Sequence, residues 1–154
     1  MRRLATRSED GYSLAELLVV VVIVGIMAFL AVPFLTTYIA SASVNYAARE
    51  VQGSLNRARL MAVASRQSIC VQIVAGGYQF VQGTCGGTVW KGPGTDGAGT
   101  FQMGAGLTLA QNSGASPIFN QFGTATQWGS FRVTASGAPQ QTISVNAAGG
   151  VSIP

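Results

Sequence analysis

The chain has 154 residues, of which 48% are hydrophobic and only 9% charged. An ordinary soluble domain carries about 25% charged residues, and disorder needs high charge with low hydrophobicity, so composition excludes a disordered chain. There is no histidine, which removes the commonest general base and metal ligand, and two cysteines allow one disulfide but no zinc cluster.

The net charge of +4 is unevenly placed. Arg2, Arg3 and Arg7 stand at the N-terminus beside Glu9 and Asp10, and Arg49, Arg57, Arg59 and Arg66 form a second group. From residue 67 onward only Lys91, Asp96 and Arg132 are charged. A few arginines in a nearly neutral chain do not make a basic surface, and nucleic-acid binding gains little support from them.

Residues 17–35 form an uncharged apolar run, LLVVVVIVGIMAFLAVPFL. Its length is close to the ~20 residues a helix needs to span a bilayer. The arginines ahead of it place the N-terminus in the cytoplasm and the chain beyond residue 40 outside. A secretory signal peptide cut near Ala40-Ser41-Ala42 is the rival reading, but the run exceeds the usual ~7–15 residues of such a segment. Glu16 lies just inside the apolar patch that begins at Leu14. A carboxylate there is costly, and its presence points to a function with a partner.

The stretch Gly11-Tyr12-Ser13-Leu14-Ala15-Glu16-Leu17-Leu18 resembles the processing site of type IV prepilins. The resemblance implies cleavage after Gly11 by a prepilin peptidase and methylation of the new N-terminus at Tyr12. It also implies retention of Glu16, the fifth mature residue, inside the membrane, where it pairs with the Tyr12 amine of a neighbouring subunit. Tyr12 stands where phenylalanine is usual, and Glu9 and Asp10 are unusual before the glycine. Pro33 falls where many pilins carry a helix-kinking proline.

Beyond Pro33 the spacing of Val44, Ala48, Val51, Leu55, Ala58 and Ala62 predicts an amphipathic helix to about Arg66. Its polar face holds Arg49, Gln52, Arg57, Arg59 and Arg66. The period then changes to two, and residues 69–74 and 78–80 around Gly76-Gly77 read as a hairpin. Further strands are expected at 107–110, 118–122, 130–134, 142–146 and 151–153, with 83–106 a glycine-rich loop or hairpin. Gly92-Pro93-Gly94-Thr95-Asp96-Gly97 matches G-x-G-x-x-G by letters, but it lacks the strand and helix that a dinucleotide fingerprint requires.

The segment from Leu55 to Arg66 is similar to the motif that precedes the first strand in the FimT/GspH group of pilin-like proteins. Cys70, Cys85 and Trp90-Lys91-Gly92 are similar to some of its members. The resemblance implies an α+β fold, in which a long N-terminal helix, transmembrane in its first half, packs on a C-terminal antiparallel β-sheet domain. The expected divisions are a leader at 1–11, a transmembrane and assembly helix at 12–40, an amphipathic helix at 41–66 and a β-rich extracytoplasmic domain at 67–154. A turn at Gly76-Gly77 sets Cys70 opposite residue 83, within reach of Cys85 if the strand end bends. A Cys70–Cys85 disulfide is the expectation, with two free thiols as the alternative.

The function expected is that of a minor pilin or pseudopilin, a structural subunit of a type IV pilus or type II secretion filament. Its expected partners are other pilin subunits, prepilin peptidase and the inner membrane, which it crosses once. No catalytic residue, cofactor or metal is expected, because no nucleophile and base can be assembled. Some FimT proteins bind DNA in natural transformation through a C-terminal G-R-x-R motif. The matching place here reads Gly149-Gly150-Val151-Ser152, without either arginine. DNA binding through Arg57, Arg59 and Arg66 stands as the alternative, and an anchored domain of unrelated role as a second.

Overall fold

The computed structural model describes residues 13–154. They fall into two compact units that part between Thr36 and Thr37. One helix, α1 (Leu14–Ser65), contributes to both. Gly11, Tyr12 and the N-terminal arginines lie outside the described residues.

In the first unit, the strongly apolar part of α1 has no buried side chain. Leu17, Val20, Ile23, Phe29 and Leu30 all present their side chains outward. A helix that is hydrophobic on every side needs an apolar surrounding, not one apolar neighbour.

In the second unit, the helix buries one stripe: Val44, Ala47, Ala48, Val51, Leu55, Ala58 and Ala62. Four of these seven are alanines, so the helix lies close to the sheet, and the sheet supplies the bulk through Phe80, Phe119 and Phe131. Burying each such ring stabilises the fold by roughly 1.5–3 kcal/mol. Ser41, Ser43 and Ser65 return their hydroxyls to the carbonyls of Thr37, Ile39 and Met61. This i−4 bonding satisfies the hydroxyls within the helix at a slight cost to helix stability. The helix ends at Ser65, and Arg66, the residue after it, takes a left-handed φ of 54°. Gln67 N–H then donates to Ala62 O at 3.2 Å and Arg66 N–H to Val63 O at 3.4 Å, the two bonds of a Schellman cap.

Eight antiparallel strands follow: β1 (Ile69–Val74), β2 (Gly77–Gln82), β3 (Thr88–Val89), β4 (Thr100–Gln102), β5 (Leu107–Phe119), β6 (Ala125–Ala135), β7 (Gln141–Val145) and β8 (Val151–Ser152). Their order in the sheet is β3-β2-β1-β5-β6-β7-β8. β4 shares the outer edge of β2 with β3.

Three expectations need correction. The β1–β2 turn is Ala75-Gly76, with Val74 opposite Gly77, so Cys70 faces Val81 and not residue 83. Gly76 takes a φ of 83°, which closes the turn one residue earlier than the Gly76-Gly77 pair suggested. Residues 118–122 are not a strand: Ile118 and Phe119 end β5, and Asn120 turns the chain. Asn120 Oδ1 accepts from the backbone N–H of Phe122 and of Thr124, the side-chain mimicry that makes asparagine a turn residue. β6 consequently starts at Ala125, ahead of the expected 130. Within 83–106, β3 and β4 pair with β2 and not with each other.

β1 pairs with β5 through only two residue couples, Ile69–Phe119 and Cys70–Ile118. The next residue of β5 is Pro117, which brings no N–H to a ladder. The β5–β6 register also shifts between Gly114 and Ile118, so proline lies where both pairings are interrupted.

The candidate assembly helix and the arginine-bearing face

Ser13 stands just before α1, and Glu16 occupies its first turn. Leu17 N–H donates to Ser13 O at 3.1 Å. The spacing Ser13-x-x-Glu16 is that of a capping box, and a carboxylate at a helix N-terminus is favoured by the helix dipole. Glu16 is exposed in the single chain.

The three arginines singled out from sequence have separate surroundings. Arg57 and Arg59 flank the buried Ala58, about 200° apart around a helix of 3.6 residues per turn. The guanidinium carbon of Arg57 stands 5.0 Å from the ring centroid of Trp90 and 5.9 Å from that of Phe101. Its Nη1 donates to Pro93 O at 3.2 Å. Arg59 lies against two turns, since a Cβ at Gly123 would come within 3.1 Å of its Nε and one at Gly149 within 3.3 Å. Arg66 is the exposed helix cap. The geometry thus commits Arg57 to an aromatic seat, Arg59 to the β-turns and Arg66 to the end of the helix.

The seat of Arg57 is a cluster that sequence reading missed. Trp90 and Phe101 stack at 6.2 Å, and Phe101 and Tyr78 at 5.1 Å. Phe80 packs on Phe101 at 4.7 Å. Tyr78 donates its hydroxyl to Ser54 Oγ at 2.6 Å, and burial pushes its phenol above the ordinary value. The glycine-rich loop therefore carries an anchor of its own, signalled only by two aromatics within a run of glycines. The G-x-G-x-x-G letters form turns: Thr95 Oγ1 donates to Gly92 O at 2.8 Å, and no helix follows. Asp96 accepts from the backbone N–H of Ala98 and Thr100 and from the side-chain amide of Gln102. The Thr100 N–H, then the Gln102 amide, hold its carboxyl below the ordinary value.

Cys70 and Cys85 are joined as a disulfide, with Cα atoms 5.2 Å apart. Cys70 lies with Val81 and Ile118 in a small apolar cluster separate from the main core. The chain leaves β2 through Gly83, whose N–H donates to Ser68 O at 2.7 Å and whose φ is 84°. Cys85 is exposed in the hairpin loop that follows. Gly149 is part of a tight turn into β8, where any Cβ would meet Gly123 O at 2.1 Å.

Two family models match the chain. Residues 47–149, well over half of it, match Type II transport protein GspH. Residues 6–32 match the prokaryotic N-terminal methylation motif. No curated protein sequence matches. Among solved structures, the chain is similar to the minor pseudopilin EpsH from the type 2 secretion system of Vibrio cholerae, at 18% identity and a TM-score of 0.57. That likeness covers 73% of this chain and 96% of that one. It is also similar to the type IV minor pilin FimU of Pseudomonas aeruginosa, at 21% identity and a TM-score of 0.51, covering 72% and 87% respectively. These likenesses speak for the fold, while the two sequence matches speak for the family. The chain belongs to the GspH family and is a minor pseudopilin or pilin of type II secretion or type IV pili, with the N-terminal methylation motif of prepilin processing.

Proposed function

We propose that the chain is a non-enzymatic filament subunit whose leader, residues 1–11, is removed after Gly11 and whose Tyr12 is then methylated. Residues 12–40 anchor it in the inner membrane and later pack in the filament. Residues 41–66 carry the β-rich domain, 67–154, on the extracytoplasmic side, with the N-terminus in the cytoplasm. The observation that carries this reading is the order of matches on one chain, a methylation motif over residues 6–32 followed by a GspH match over 47–149. The Cys70–Cys85 bridge supports an oxidising compartment for the β-rich domain.

Glu16 pairs with the Tyr12 amine of a neighbouring subunit in this reading, because two opposite charges in an apolar medium offset part of each other's desolvation cost. DNA is not a partner we assign. Phosphate binding needs free cations, and Arg57 is held by Trp90, Phe101 and Pro93.

N-terminal sequencing and intact mass of membrane-derived protein test the processing, with a methylated Tyr12 expected. A mature start at Ser43 would overturn it in favour of a signal peptide. Glu16→Ala is expected to insert into membranes as well as the parent or better, yet to be depleted from sheared filaments. Normal recovery of Glu16→Ala in filaments would refute the pairing role.

A further inference from the structure

Trp128 on β6 is 53% exposed. It borders two concavities. One, of about 380 Å³, is lined chiefly by Ser113, Gly114, Gly129, Ser130 and Ser144 together with the indole. The other, of about 210 Å³, is lined by Ala115, Thr126, Gln127 and the same indole. Trp128 is thus common to two depressions, and neither is lined by a charged residue.

The floor beside the ring is built without bulk. A Cβ on Gly114 would come within 2.6 Å of Trp128 O, and one on Gly129 within 2.4 Å of Ala115 O. The two strands are pinched together at glycines, which fixes the backbone that bears the indole and keeps other side chains away from it. The hydroxyls are ordered from behind. Arg132 donates to Asn112 Oδ1, Asn112 Nδ2 donates to Ser130 Oγ at 3.1 Å, and Ser130 Oγ and Ser113 Oγ share a bond of 2.8 Å. The Nε of Arg132 is buried without a partner.

An exposed indole beside two uncharged depressions, one lined by serines and the other largely apolar, suits a specific chemistry. The C–H face of a pyranose ring meets the electron-rich face of an indole, while its hydroxyls need partners that both donate and accept, as serine and glutamine side chains do. A nucleobase would stack as well, but the phosphates that come with it need cations, and neither depression supplies one. We propose that this face of the β5–β6–β7 sheet binds a neutral oligosaccharide, with one sugar ring on each side of Trp128.

The test uses the full chain in a detergent without a sugar headgroup, and chitotetraose, maltotetraose and cellotetraose as probes. Saturation-transfer NMR and tryptophan-emission titrations report binding at millimolar ligand. At least one probe is expected to bind, with affinity reduced tenfold or more by Trp128→Ala and by Ser144→Leu, which fills one depression, and unchanged by Trp90→Phe. An unaltered denaturation midpoint for Trp128→Ala supports the assignment by showing that the loss is local. Absence of binding by all three probes overturns the proposal, as does binding that survives Trp128→Ala. Binding of oligothymidylate at Trp128 in place of the saccharides also overturns it.

Discussion

Replacing Arg57 by alanine separates a structural cation from a ligand-binding one. In the parent, the guanidinium lies 5.0 Å from the Trp90 centroid and 5.9 Å from that of Phe101, and Nη1 donates to Pro93 O at 3.2 Å. A partly exposed cation–π contact contributes about 1 kcal/mol. The hydrogen bond is exposed and worth the low end of its range, roughly 0.5 kcal/mol, and the buried part of the stem adds a similar amount. The expected loss for Arg57→Ala is therefore about 2 kcal/mol. Arg57→Lys should recover about half of it, because an ammonium keeps the charge but not the flat fork that lies on the rings. A guanidinium chloride titration of the full chain in detergent micelles, followed by tryptophan emission, measures both. Trp90 touches the altered site and Trp128 reports on β6, so a global loss moves both signals together. A midpoint for Arg57→Ala that differs from the parent by less than about 0.5 kcal/mol would refute the aromatic-seat argument and return Arg57 to the set of free cations.

Cys85→Ser is expected to cost about 3 kcal/mol, the loop-closure value for a separation of 15 residues. The variant should melt as the parent does under reducing conditions, and a loss below about 1 kcal/mol would show that the hairpin holds itself. Two opposite exchanges should both stabilise. Gly53→Ala adds a Cβ into open space on a helix, and Arg66→Gly relieves a side chain at a φ of 54°, each worth about 1 kcal/mol in denaturation midpoint. Asp96 has a lowered folded value against an ordinary 3.8, so its contribution is present above that pH and is lost as pH falls through the folded value. Asp96→Ala should therefore be less stable than the parent at pH 7, and the gap should close in strong acid, since acid removes from the parent what the variant already lacks. A gap that is constant with pH would argue that the loop does not depend on the carboxylate.

The buried helical stripe was readable because its 3.6 period, written in Val44, Ala48, Val51, Leu55, Ala58 and Ala62, is imposed by the burial itself. The hairpin register was not readable to the residue. Two adjacent glycines offer two turns, and only packing decides between them. The resulting slip of two residues kept every side chain on its proper face, because strands alternate with period two. Strand ends failed where side-chain chemistry overrides pattern: Asn120 ends β5 by capping its own turn, although the apolar Ile118, Phe119 and Phe122 suggested that the strand continued. Of the residues singled out as sites, the two cysteines were legible as a pair by their separation. The arginines were not legible as aromatic-seated or cap residues, since Arg57 meets Trp90 only across a loop of unpredictable path.

The two-couple junction at Pro117 has a consequence for how the domain opens. β1–β2, β5–β6 and β6–β7 are each closed by short connections, so each forms from nearby chain. The β1–β5 junction joins residues some fifty positions apart and is held by only Ile69–Phe119 and Cys70–Ile118. Between two locally built parts, the long-range seam with fewest bonds is the one that parts first in sub-global fluctuations. Amide protons at this seam should exchange with solvent faster than those in the middle of the β5–β6 ladder, at Leu109 or Val133. The disulfide borders the seam without crossing it, because Cys85 ties β1 to the loop beyond β2. Oxidation thus fastens one lobe of the sheet to itself and leaves the joint between the lobes to the helix that packs across both.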